Sequence, residues 1–192
     1  MRFSQMDTLR EDVYQELFEA AAEQIQAHPE CSKLTIDIRF HPGGDTTAFR
    51  MICKFTSLLK APSIKDTYVL TGGYSTSAAT TCMELFKEEL DAVMVGEPTG
   101  QFTSFYAFMA GPPIVLPHSE ISIGIANRWS SLDDHLSRYD WSEKAAIVEE
   151  YYNESGNLYE WENTILPDVF VYQDIEDIRQ GKDSVIEWIL KQ

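Results

Sequence analysis

TYVLTGGYSTSAATTCMELFKEELDAVMVGEPTG, running from Thr67 to Gly100, divides into three pieces. Tyr68-Val69-Leu70 is a short apolar run of β-prone residues, closed by Gly72-Gly73. Thr76 to Leu90 has the helical period, with Ala79, Met83, Leu85 and Phe86 forming an apolar stripe. Ala92 to Val95 is a second buried strand, stopped by Gly96. A strand, a tight glycine turn, small hydroxyl residues and then a helix put a serine at a helix N-terminus. Free N–H groups and the positive end of the helix dipole favour negative charge there. Ser75 and Ser77 therefore have two readings. A serine at such a place is most commonly an N-cap. Alternatively, it attacks a carbonyl carbon while nearby N–H groups hold the oxyanion.

The same unit stands upstream. Ser32 to Arg39 reads as a strand and runs into Phe40-His41-Pro42-Gly43-Gly44-Asp45. Thr46 to Lys60 then reads as a helix, broken by Pro62. Asp7 to His28 is an amphipathic helix with Leu9, Val13, Leu17, Phe18, Ala21 and Ile25 on its buried side, and residues 1–6 read as a short strand before it. Strands alternating with helices through residue 95 predict an α/β fold with a mostly parallel core sheet. In such sheets sites form at the carboxyl ends of strands, so two glycine-opened helix starts on neighbouring strands converge on one pocket.

Beyond residue 100 the pattern changes. Phe102 to Met109, Ile114 to Leu116 and Glu120 to Ala126 read as strands, the last two around the turn Pro117-His118-Ser119. Residues 130–163 are polar, acidic and rich in Tyr and Trp, and read as an insertion or loop with one helix over 142–152. Val169 to Val171 is a short strand, and helices follow over 174–180 and 184–191, the second capped by Asp183. The whole, residues 1–192, is expected to form a single domain.

Composition limits the partners. The net charge is −16, from 31 acidic against 15 basic side chains, which argues against nucleic acid or an anionic membrane. No apolar run reaches transmembrane length, and the N-terminus has no signal-peptide core, so the default compartment is the cytoplasm. Cys31, Cys53 and Cys82 have no metal-like spacing and read as free, buried thiols in a reducing compartment. No phosphate loop and no Cys/His ligand cluster is present, so no cofactor or metal is implied.

Five segments, in order, resemble the tail-specific (C-terminal processing) serine peptidases. LTIDIRFHPGGDTTAF resembles their D-L-R-x-N-x-G-G segment, GGYSTSAATT their nucleophile segment, and AVMVGEPTG their G-E-x-T strand end. IVLPHSEISI and PDVFVYQDIEDIRQGKDSVIEWIL resemble the later strand and the tail of the lysine-free, tricorn-like branch. The resemblance covers roughly residues 10–125 and 163–192. It implies a Clp-protease/crotonase-like fold of stacked ββα units. It also implies a peptidase that hydrolyses peptide bonds by acyl transfer, with a peptide or protein as substrate and a homo-oligomeric assembly as one possibility.

Carried over by position, the nucleophile is Ser77, nineteen residues before Gly96. The resemblance further implies an oxyanion hole formed by the N–H of Ala78 and one from Gly43 or Gly44. The departures concern the base. Phe102 stands where the lysine-dyad members carry lysine, and Lys87, ten residues along the same helix from Ser77, would be about 15 Å away. The lysine-free branch takes a histidine from a segment N-terminal to this core, and this chain is expected to start too late to contain it. His41, beside the glycine pair, and Glu97, at a strand end, are auxiliary candidates. His41 can equally be a loop residue with no catalytic role, and Glu97 a cap of the following turn. His118 lies in a turn, and Asp133-Asp134-His135 reads as a solvated acidic loop rather than a metal site. Two functions remain: a serine-type peptidase core, incomplete here for want of a base, or an inactive relative that binds peptides or assembles.

Overall fold

The computed structural model describes residues 11–44, 52, 54–101, 104–107, 114–124, 128–131 and 166–192. In chain order the elements are α1 (Glu11–Ala27), β1 (Lys33–Asp37), a 3-10 turn (Thr56–Leu59), β2 (Asp66–Thr71), α2 (Ala78–Leu90) and β3 (Val93–Gly96). There follow β4 (Ser104–Ala107), β5 (Ile114–Val115), β6 (Ser122–Ile123), β7 (Arg128–Ser131), β8 (Val169–Phe170), α3 (Ile175–Arg179) and α4 (Ser184–Ile189). They fall into two compact units, Met1–Gln101 with Thr164–Gln192, and Phe102–Asn163.

The first unit carries the expected α/β core. Four parallel strands stand in the order β1-β2-β3-β8. Ile36 pairs with Val69, and Val69 with Met94, so the register sets buried residues side by side. The middles of β2 and β3 read as continuous apolar runs, as parallel strands covered on both faces do, whereas β1 alternates. Tyr68, Leu70 and Val95 share one face and pack against Val185 and Ile189 of α4. By alternation Val69 and Met94 point to the other face, and α2 packs on β2 and β3. Met83 and Phe86 of α2 are fully buried; each such side chain contributes about 1.5–3 kcal/mol through its burial. α1 lies against the 3-10 turn, with the Phe18 and Phe55 rings 6.3 Å apart.

The ends of the tail helices follow simple chemistry. Asp174 caps α3 by accepting from the Glu176 N–H, and Gly181, at φ 69°, follows its end. Asp183 caps α4 as expected, accepting from the Val185 and Ile186 N–H groups. Two boundaries differ from the sequence reading. α2 begins at Ala78 rather than Thr76, because Thr76 and Ser77 belong to the turn. The helix expected over 46–60 ends in 3-10 geometry from Thr56. Cys82 is buried as expected, whereas Cys31 is exposed; neither forms a disulfide among the described residues. Cys53 and the strand expected over 1–6 lie outside the described residues.

The second unit contains two antiparallel pairs. β4 pairs with β7, Phe105 opposite Ser130, and β5 pairs with β6 across the turn 117–119. β7 falls where the sequence suggested no strand. Nearly all of the insertion expected over 130–163 lies outside the described residues. Among the described residues, no helix is long and apolar enough to cross a membrane.

Candidate active site

The C-terminal ends of the four parallel strands bring the two glycine loops together. After β2 the chain turns through Gly72 to Ser77 before entering α2. Ser75 is fully buried; its N–H donates to the Gly72 carbonyl at 2.9 Å, and its hydroxyl donates to the Ile38 carbonyl at 2.8 Å. It therefore latches the β2 turn to the end of β1. Thr76 continues the latch: its N–H donates to the His41 carbonyl at 3.2 Å and its hydroxyl to the Pro42 carbonyl at 2.9 Å.

Ser77 behaves differently. It occupies the N-cap position of α2, yet its side chain makes no capping bond, and its backbone sits at φ 55°, ψ −127°. Positive φ is uncommon for any residue with a Cβ, and such strain persists only where the surroundings hold it. Here the surroundings do so on both sides. The Ser77 N–H donates to the Gln101 side-chain oxygen, and the Ser77 carbonyl accepts from the Thr80 hydroxyl at 2.6 Å. Among the described residues, the Ser77 hydroxyl meets no hydrogen-bond partner, and neither does the N–H of Ala78.

Gly43 lies directly against this serine. A Cβ added to Gly43 would stand 2.6 Å from the Ser77 Cβ and 3.2 Å from its Oγ, and Gly43 has φ 96°. Both the crowding and the backbone conformation demand glycine. The Gly43 N–H is engaged: it donates to His41 Nδ1 at 2.9 Å. Of the glycine pair, Gly44 is thus the amide not held by His41. The bond also sets the tautomer of His41, because an accepting Nδ1 leaves the proton on Nε2. His41 is fully buried, and its Nε2 has no hydrogen-bond partner. Burial pushes the imidazole below its ordinary pKa, outweighing a backbone hydrogen bond that raises it, so the ring is neutral at pH 7.

Glu97 follows β3. Its N–H donates to the Thr71 carbonyl at 3.1 Å, and its carbonyl accepts from the Thr71 hydroxyl at 2.8 Å. Glu97 lines a cavity of about 370 Å³ at the strand ends, together with Arg39, Phe40, Tyr74, Val171 and Val185. Arg39 is held from two sides: it donates to Asp37 through Nε and Nη2, and to Asp183 through Nη1 and Nη2, at 2.7–3.0 Å. Burial works against its charge, but the bonds to the two carboxylates outweigh burial and raise its pKa. Lys87 takes no part here; its ammonium pairs with Asp168 at 2.6 Å, and Asp168 also accepts from the Met94 N–H at 2.9 Å.

His28 meets Glu30 at 3.0 Å on the exposed end of α1, and His118 is exposed in the second unit. His135 and Phe102 lie outside the described residues. Two neighbours of the site escaped the sequence reading. Gln101 reaches Ser77 from beyond the G-E-x-T-like segment, and Arg39 joins residues that lie far apart in sequence. Gln101 has no local signature; Arg39 stands in the D-L-R-like segment beside Asp37, but its bonds to Asp183, 144 residues away, have none.

No protein-family model matches the chain, and no curated protein matches it. Solved structures do share its fold. A protein assigned as a peptidase from Parabacteroides merdae superposes with a TM-score of 0.51 at 16% identity, over 99% of this chain and 59% of that one. A protein assigned as a protease from Bacteroides fragilis gives 0.56 at 12% identity, over 98% and 52%. The tricorn protease gives 0.52 at 13% identity, over 100% and 17%. This chain spans less than two thirds of the length of each. At such identities the likeness establishes the fold: α/β, with a parallel core sheet.

Proposed function

We propose that this chain is a serine-type peptidase core that acts on peptide chains through Ser77. The observation that supports it is the backbone of Ser77, held at positive φ at the start of α2 with a hydroxyl that caps nothing. An ordinary N-cap serine would use its oxygen on the helix N–H groups and need no strain. In the proposed reaction the Ser77 oxygen adds to a peptide carbonyl carbon, and the carbonyl oxygen takes the negative charge. The amides of Ala78 and Gly44 are the proposed donors to that oxyanion, backed by the positive end of α2. One such donor contributes about 3 kcal/mol to transition-state stabilisation. The proton leaving the Ser77 oxygen must pass to a base. Since no basic group bonds to the Ser77 hydroxyl among the described residues, the base belongs outside them. The finer reading, kinship with the lysine-free, tricorn-like branch, rests on the sequence resemblance alone.

A second reading follows from the same missing base. A domain with a hole and no base binds a peptide carboxylate or carbonyl without cleaving it. Phosphonylation by a fluorophosphonate separates the two. In that reaction the Ser77 oxygen attacks phosphorus and fluoride departs, with hydroxide able to take the proton. We expect slow labelling at neutral pH, rising about tenfold per pH unit, selective for Ser77 and absent in Ser77→Ala. Labelling of Ser77 no faster than that of an exposed serine such as Ser57 would refute the peptidase reading and leave the binding one.

A further inference from the structure

We propose that the cavity at the strand ends binds a protonated amine or guanidinium carried on an apolar stem. Three observations converge on this. First, its wall charges are unevenly paired. Its charged wall residues are Arg39 and Glu97, and the Arg39 guanidinium is already engaged by Asp37 and Asp183, which do not line the cavity. An anion entering the cavity would compete with both carboxylates for Arg39, whose side chain is only 11% exposed. Second, among the described residues the Glu97 carboxylate has no partner, although Glu97 is partly buried and lines the cavity. The other uncharged polar wall residues are engaged: Gln173 spends its amide on Ser184 and on the Lys182 carbonyl, and the Thr71 hydroxyl donates to the Glu97 carbonyl. Third, the rest of the wall suits a hydrocarbon stem. Val171 and Val185 are apolar, and Tyr74, 62% exposed, also lines the cavity. An aromatic ring and a carboxylate without a partner, lining one cavity, favour a cation over a neutral or anionic group. The chain's net charge of −16 acts in the same direction at long range.

The cavity borders the turn that ends at Ser77, since Gly72, Gly73 and Tyr74 line it. That the cation is a lysine or arginine side chain of a peptide rests on the peptidase-type reading above; the preference for the cation does not. Titration calorimetry with two kinds of probe keeps them apart. n-Pentylammonium tests the cavity alone. Nα-acetyl-lysine methylamide against its norleucine counterpart tests the peptide form. We expect both ammonium probes to bind, the norleucine compound to bind at least about tenfold more weakly, and Glu97→Gln to remove that difference while Ser77→Ala leaves it intact. Glu97→Gln keeps both backbone bonds to Thr71, so the fold is retained, and Tyr74→Ala provides a second variant that weakens both ammonium probes. Equal binding of lysine and norleucine compounds, binding unchanged by Glu97→Gln, or no binding of n-pentylammonium overturns the proposal even if Ser77 is labelled by fluorophosphonate. Binding of n-pentylammonium that depends on Glu97, with Ser77 inert, upholds the cavity and rejects the peptidase reading.

Discussion

His41 shows how one buried ring couples the site to pH. Its imidazole is held below its ordinary pKa by burial. The sign follows from linkage: as pH falls through the ordinary value near 6.5, the unfolded chain takes the proton before the folded one does. Stability is therefore full above that value and declines below it, by at most about 1.4 kcal/mol per pH unit for one proton. Urea midpoints at pH 7.5 and 5.5 should show this decline, and His41→Asn should flatten it. The same slope in the variant would mean that His41 is not the group responsible. At this scale the sequence was partly legible. The resemblance, through the distance to Gly96, singled out Ser77 rather than Ser75; in the structure Ser75 spends its hydroxyl on the Ile38 carbonyl, and the Ser77 hydroxyl meets no partner among the described residues. What spacing could not convey was that Gly43 gives its amide to His41, because that bond depends on how a side chain folds back over its own loop.

At the scale of elements, α4 is tied by its N-cap residue to Arg39, which follows β1. Asp183 caps the helix and also pairs with Arg39 at 2.7 Å. Burial raises its carboxyl pKa, but the Arg39 bond and the helix N–H groups outweigh that and hold it below the usual value. A depressed carboxyl pKa contributes stability above the unfolded value, near 4, that is lost as pH falls through the folded value. Asp183→Asn should keep much of the cap but lose the ion pair. We expect it to lower stability by about 1–3 kcal/mol at pH 7, with the gap to the parent chain closing towards pH 3. A gap that does not change between those pH values would assign the loss to capping alone. The cap itself was readable, because Asp-Ser before an apolar run is a local signal. β7 was not. Arg128-Trp129-Ser130-Ser131 has no alternation of its own, and only its pairing with β4 makes it a strand.

For the molecule as a whole, the parallel core sheet was legible because its strands alternate with helices and glycine turns follow the first two; the order and the place of β8 beside β3 came only with the structure. The role of the tail was less legible. Its helices are short, and only the structure puts Val185 and Ile189 on Tyr68, Leu70 and Val95. They belong to the core of the first unit. Ile189→Ala should therefore lower stability by about 2–5 kcal/mol in urea unfolding, as for any buried large-to-small change. A loss under about 1 kcal/mol would show the tail to be peripheral. The sheet's last strand has a further consequence, for the time when the chain is being made. β8 pairs with β3 only after every residue of the second unit has been added. Until then the nascent chain carries an open β3 edge and an uncovered face at Tyr68, Leu70 and Val95. At about 5–20 residues per second this interval lasts several seconds. An unpaired edge beside bare apolar side chains is a template for other chains, so the newborn protein is most in need of a chaperone while its second unit is on the ribosome.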